Sequence, residues 1–106
     1  MRVEPFAALA DPNRRRMIEL IGRGERPAGA IAAEFAMTPA AVSQHLKALR
    51  EAGLVRVRTE GARRFYSLDP GGLAGVDAWL DRVRGLWSTR LESLEAALRE
   101  EKGEAK

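Results

Sequence analysis

Apolar residues recur at helical spacing in five stretches of the chain and alternate in strand fashion in one more. The most sharply bounded stretch is Met37 to Val55. Val42, Leu46 and Leu49 stand at i, i+4 and i+7, which makes a single apolar stripe. Thr38 suits an N-cap, Pro39 suits the first helical position, and Gly53 stands where a left-handed cap is wanted. The opposite face carries Ala40, Gln44 and Lys47, with Ser43 at its border and no acid before Glu51. A helix over 39–52 with these two faces can lie on a core and enter a DNA major groove.

The remaining pattern builds a frame around it. A short helix is predicted over 3–10, with Val3, Phe6, Ala7 and Leu9 or Ala10 at helical spacing; it is too short to stand alone. Asp11-Pro12 opens a second helix over 12–22, whose stripe is Met17, Ile18 and Ile21 with Leu20 at its edge. Gly22, Gly24 and Pro27 break it, and a third helix over 28–35 offers Ile31, Ala32 and Phe35. The turn at Met37-Thr38-Pro39 then has helix-turn-helix spacing. Leu54 to Thr59 alternates, Glu60-Gly61-Ala62 turns, and Arg63 to Leu68 returns, so a hairpin is predicted over 54–68. Finally Leu73, Val76, Leu80, Val83, Trp87, Leu91, Leu94 and Leu98 form a seam over 72–101, widened by Trp79 and Leu86. That seam is roughly 45 Å long at 1.5 Å per residue. A body of this size cannot cover it, so its far end calls for a second copy of the chain.

Length and composition narrow the chemistry. At 106 residues one domain, 1–106, is the expectation. There is no cysteine, which excludes disulfides, thiolate metal sites and cysteine nucleophiles, and His45 is the single histidine. No nucleophile with a free base, phosphate loop or carboxylate pair stands out, so an enzyme is not expected. No apolar run approaches a membrane span and the N-terminal residues lack a signal-peptide core, so no membrane partner and a cytoplasmic location are expected. The net charge is only +3, but bases outnumber acids between Ser43 and Leu68. A phosphate-binding surface depends on that local excess. Arg56, Arg58, Arg63 and Arg64 on the hairpin read as a wing that reaches phosphates or the minor groove, the alternative being a charged edge that prevents sheet growth. Arg14, Arg15 and Arg16 oppose the dipole of their own helix, which leaves a phosphate contact or an unpartnered cluster.

The runs LADPNRRRMIELI, IAAEF and TPAAVSQHLKALREAGLVRVRTEGARRFYSL resemble the ArsR/SmtB-type winged helix-turn-helix repressors. The resemblance implies a mainly α fold with a small β-hairpin wing and a long C-terminal dimerisation helix. It also implies a homodimer on a pseudo-palindromic operator, with the first and last helices at the interface: Phe6, Leu9, Trp79, Leu80, Val83, Trp87, Leu91, Leu94 and Leu98. The chain departs from the metal-sensing members. Pro27 and Gly29 stand where such members carry thiolates, and Pro70, Gly72, Val83 and Leu86 stand near the places of their zinc ligands. No cofactor and no metal site is therefore expected.

Double-stranded DNA is the expected partner. Ser43, Gln44 and Lys47 are expected at the groove floor or walls, Ala40 at close approach, and Thr38 at the cap beside a phosphate. His45 either packs with one ring nitrogen bonded locally or touches a base. Arg56, Arg58, Arg63 and Arg64 complete the expected DNA contacts. Control by a small molecule near Phe6, Trp79 and Trp87, by a partner protein or by protein level alone stays open. The competing reading is a winged-helix module that binds protein without sequence-specific DNA binding.

Overall fold

The structure, a computed structural model, describes residues 4–104, with side chains as far as residue 101. The expected start of the first helix at Val3 and the last residues of the polar tail lie outside them. In chain order the elements are α1 (Pro5–Leu9), α2 (Pro12–Gly22), β1 (Arg26–Pro27), α3 (Ala28–Ala32), α4 (Pro39–Glu51), β2 (Val55–Glu60), β3 (Arg63–Leu68) and α5 (Pro70–Glu104). The fold is thus mainly helical with a small antiparallel sheet, as the pattern implied. The chain divides into two compact units, Met1–Val76 and Asp77–Lys106.

Three departures from the expected elements have physical reasons. The third helix stops at Ala32, not residue 35: Glu34 and Phe35 donate to carbonyls three residues back, at Ile31 and Ala32, so the chain tightens into turns. The hairpin has a third strand, because β1 pairs antiparallel with β3 through Arg26 opposite Tyr66 and Pro27 opposite Phe65. Proline is tolerated there because β1 is an edge strand. The hairpin turn is Gly61-Ala62 alone, since Glu60 pairs with Arg63.

The core of the first unit gathers one face from each element. Ala8, Met17, Ile21, Ile31, Phe35, Val42, Leu46, Leu49, Leu54, Val55 and Tyr66 are all buried. The α4 stripe is almost completely covered, with Val42, Leu46 and Leu49 exposed by 2%, 1% and 0%. Burying each such side chain is worth about 1.5–3 kcal/mol against leaving it in water. Leu73 and Val76, the first residues of the long seam, pack against this core, and so does Leu9. In the second unit, by contrast, Leu80, Val83, Leu86, Trp87, Leu91, Leu94 and Leu98 are exposed.

The exit from α4 is fixed by backbone chemistry. Gly53 takes φ +75°, its N–H donates to Arg50 O at 3.0 Å, and Leu54 N–H donates to Leu49 O at 3.0 Å. This is the Schellman arrangement, which satisfies the last carbonyls of the helix. Leu54 O in turn accepts from Asp69 N–H at 2.9 Å, and Asp69 Oδ1 accepts from Gly71 N–H at 3.0 Å. Gly72 then lies directly on the α4 exit: a β-carbon there would sit 1.8 Å from Gly53 O. Gly53 O belongs to the backbone, so it cannot yield as a side chain could.

Gly72→Ala is therefore expected to destabilise the fold by about 1–3 kcal/mol, the range for overpacking a well-filled site. The check is urea unfolding: a lower midpoint with unchanged slope supports the close approach, and an unchanged midpoint contradicts it.

Candidate nucleic-acid interface

Burial of Val42, Leu46 and Leu49 turns the other side of α4 to solvent. Ala40, Ser43, Gln44, Lys47 and Arg50 are all exposed on it. The helix start is held by Thr38, whose Oγ1 accepts from Ala41 N–H at 3.1 Å. Thr38 thus caps the helix, and its oxygen is already engaged by the protein.

Strand alternation sorts the wing arginines onto two faces. Val55, Val57 and Thr59 share a face with their partners Leu68, Tyr66 and Arg64. Val55 and Tyr66 are buried, so this is the inner face, and Arg64 emerges from it beside α4. Arg56, Arg58 and Glu60 share the outer face with Ser67, Phe65 and Arg63. The result is a groove of about 360 Å³ lined by Ser43, Gln44, Lys47 and Arg50 from α4, Arg64 and Tyr66 from β3, and Ala28. A second hollow of about 450 Å³ continues past the wing tip, lined by Pro27, Ala28, Gly29, Ala30, Ala62, Arg63 and Arg64. On the other side of the helix, Gln44 and Lys47 border a hollow of about 280 Å³ with Arg14, His45, Ala48 and Glu51.

Of the expected DNA contacts, then, Ser43, Gln44, Lys47 and Arg64 come together in one groove. Arg63 lies at its extension and stacks on Phe65 at 5.0 Å from the ring centroid. Arg56 is exposed on the outer face of β2, away from the groove. Arg58 is the most constrained. Its Nη2 and Nε donate to the two carboxylate oxygens of Glu25 at 2.8 and 3.5 Å, and its Nη1 donates to Glu60 at 2.6 Å. Those hydrogen bonds, Glu25 first, raise the Arg58 pKa further, and the bond from Arg58 holds the Glu25 carboxyl below its ordinary value. Arg50, open from the sequence between a nearby salt bridge and a contact to the DNA backbone, also lines the groove. Its signal was present, since Ser43, Lys47 and Arg50 stand at i, i+4 and i+7.

The arginine cluster of α2 has internal partners. Arg15 Nη1 donates to Leu9 O at 2.7 Å and Ala10 O at 3.2 Å, at the end of α1. Arg14 Nη1 reaches Ala8 O at 3.5 Å, and Arg16 lies 4.8 Å over the Phe35 ring. The cluster is therefore not without partners: Arg14 and Arg15 satisfy carbonyls that a helix end leaves open. Arg14 Nε also donates to His45 Nδ1 at 3.2 Å. His45 is half-buried with that ring nitrogen bonded locally, the first of its two expected roles. At the head of α2 burial pushes the Asp11 carboxyl up, but the amides of Asn13 and Arg14 and the nearby His45 and Arg14 outweigh it and lower its pKa.

Among the described residues no group of three His, Asp or Glu side chains is placed to hold a metal ion. No helix among them is long and apolar enough to cross a membrane.

The chain is similar to known helix-turn-helix proteins. Residues 9–58 match a family model described as a helix-turn-helix domain. The chain is 46% identical over 77 residues to the HTH-type transcriptional regulator Rv2034 of Mycobacterium tuberculosis, covering 73% of this chain and 72% of that protein. It is 32% identical over 75 residues to the transcriptional repressor SdpR of Bacillus subtilis, covering 71% of this chain and 83% of that one. Among solved structures it resembles the homodimeric winged helix-turn-helix DNA-binding domain of Mb0332 from Mycobacterium bovis, a possible ArsR-family transcriptional regulator. The TM-score is 0.63 at 33% identity, over 76% of this chain and 75% of that one.

The Asp11 carboxyl supplies a pH test. A carboxylate whose folded pKa is depressed stabilises above the unfolded value, about 4, and that stability is lost as pH falls through the folded value. Asp11→Asn keeps an oxygen to cap α2 but cannot titrate. Its melting temperature is expected to fall less than that of the parent protein between about pH 5 and pH 2; an equal fall in both would contradict the assignment.

Proposed function

The chain belongs to the ArsR/SmtB family of winged helix-turn-helix transcriptional regulators, and we propose that it is a homodimeric repressor that reads a pseudo-palindromic operator with α4 in the major groove. As a family member it is a DNA-binding regulator and not an enzyme. The observation that carries the reading is the groove in which Ser43, Gln44, Lys47 and Arg50 meet Arg64 of the wing. Lys47 is 4.0 Å from Glu51, a long exposed pair that leaves it available to a phosphate or a base.

The proposed roles follow from side-chain chemistry. Gln44 pairs both ways with adenine, and Lys47 reaches guanine acceptors or a phosphate. Ser43 bonds a base edge or a phosphate, Ala40 allows close approach, and Thr38 holds the helix end that faces the backbone. Arg64, with Arg50, Arg63 and Arg56, neutralises phosphates. Arg58, held by Glu25 and Glu60, is left out of that set. The exposed apolar row of the second unit, Leu80 to Leu98, supports pairing with a second copy, as in the homodimeric domain of Mb0332. Two copies would set their reading helices about 34 Å apart, one duplex turn. The absence of cysteine supports release by something other than thiolate metal binding.

Two sets of variants test this reading. Gln44→Ala is expected to change which sequence is preferred, with a loss of about 1–3 kcal/mol at one position of the site. Arg64→Ala should weaken all sequences about equally and flatten the salt slope by about one phosphate. A Gln44→Ala protein with unaltered preference and affinity in a binding titration would contradict the groove assignment. For assembly, Leu94→Glu places a charge in the apolar row. It is expected to yield a monomer in sedimentation, with operator affinity reduced at least about tenfold; a dimer of unchanged strength would count against this interface.

A further inference from the structure

The outer face of the wing carries three arginines, Arg56, Arg58 and Arg63, but one of them is caged. Glu25 grips Arg58 through both carboxylate oxygens, with Nη2 at 2.8 Å and Nε at 3.5 Å. Glu60 takes Nη1 at 2.6 Å, and the guanidinium stacks 4.6 Å over the Phe65 ring. Glu60 and Phe65 belong to the hairpin itself, but Glu25 does not: it precedes β1, 33 residues away in sequence. Glu25 therefore ties the wing to the corner where α2 hands over to β1.

We propose that Glu25 is an acidic latch: by holding Arg58 it withholds that cation from DNA and sets how tightly the protein binds duplex phosphates irrespective of sequence. The inference rests on the reading of the wing as a phosphate-binding element. Exposed ion pairs usually contribute little, because two mobile side chains must be ordered and water screens them. Arg58 differs in being held by a fork-to-carboxylate contact, a second acid and an aromatic face together. A phosphate approaching Arg58 must displace Glu25, and it meets the charge of two carboxylates while doing so. On this face Glu25 and Glu60 offset two of the three arginine charges. A repressor gains from such restraint, since non-specific sites compete with its operator through phosphate contacts alone.

The test compares the parent protein, Glu25→Gln, Arg58→Gln and the double variant on a labelled duplex of mixed sequence, across roughly 50–200 mM salt. Glu25→Gln is expected to bind about three- to tenfold tighter at the lowest salt, with a slope steeper by about one phosphate. That gain should vanish when Arg58 is also Gln. No gain in Glu25→Gln, or the same gain in both backgrounds, would overturn the latch, the second result reducing it to a plain charge effect. Absence of binding by all four proteins would overturn the proposed function, and the latch with it. Without DNA, the Arg58 Nε–H signal in a nitrogen-15 spectrum should exchange more slowly than that of exposed Arg56 in the parent protein, and match it in Glu25→Gln. An Arg58 signal that already exchanges like that of Arg56 in the parent protein would also overturn the proposal.

Discussion

The arrangement depends first on how α4 is rotated. Val42, Leu46 and Leu49 point into the core and leave almost no surface exposed. Turning the helix to bring any of them out would forfeit about 1.5–3 kcal/mol per side chain, a large part of a small domain's stability. Because side chains on one helix share fixed angles, that burial also decides where Ser43, Gln44 and Lys47 point. The face proposed to meet DNA is thus the reverse side of a packing requirement.

The same logic extends to the wing. The Schellman exit at Gly53, the bond from Asp69 N–H to Leu54 O and the close approach of Gly72 fix where β2 starts and β3 ends. From there alternation does the sorting. Val55 and Tyr66 go into the core, so Arg64 faces α4 while Arg56, Arg58 and Arg63 face outward. Four arginines that look equivalent in the sequence become one groove cation, one tip cation, one exposed strand cation and one caged strut.

What the sequence disclosed follows the range of the forces involved. The α4 stripe, the Thr38 cap and the Gly53 exit are local, and each was readable from a few neighbouring residues. The β1 strand is two residues long, one of them proline, and exists only through pairing with β3; nothing near Arg26 announces it. The hairpin was legible but its register was not. A turn at Glu60-Gly61-Ala62 would set Thr59 opposite Arg63, whereas Glu60 takes that place, and a one-residue slip of that kind exchanges the faces of a strand. Arg14 finds His45 31 residues away and Arg58 finds Glu25 33 residues away, so their neutral appearance as surface cations could not reveal their partners.

The central claim is that DNA is met by the groove between α4 and β3. The most direct measurement is a titration of isotope-labelled protein with duplex operator, following backbone and side-chain signals residue by residue. The account predicts that shifts concentrate on Ser43, Gln44, Lys47, Arg50 and Arg64, while Arg16 and Phe35, stacked together elsewhere on the domain, stay in place. Shifts that spare the groove and gather around Arg16 and Phe35 or along α5 would contradict it.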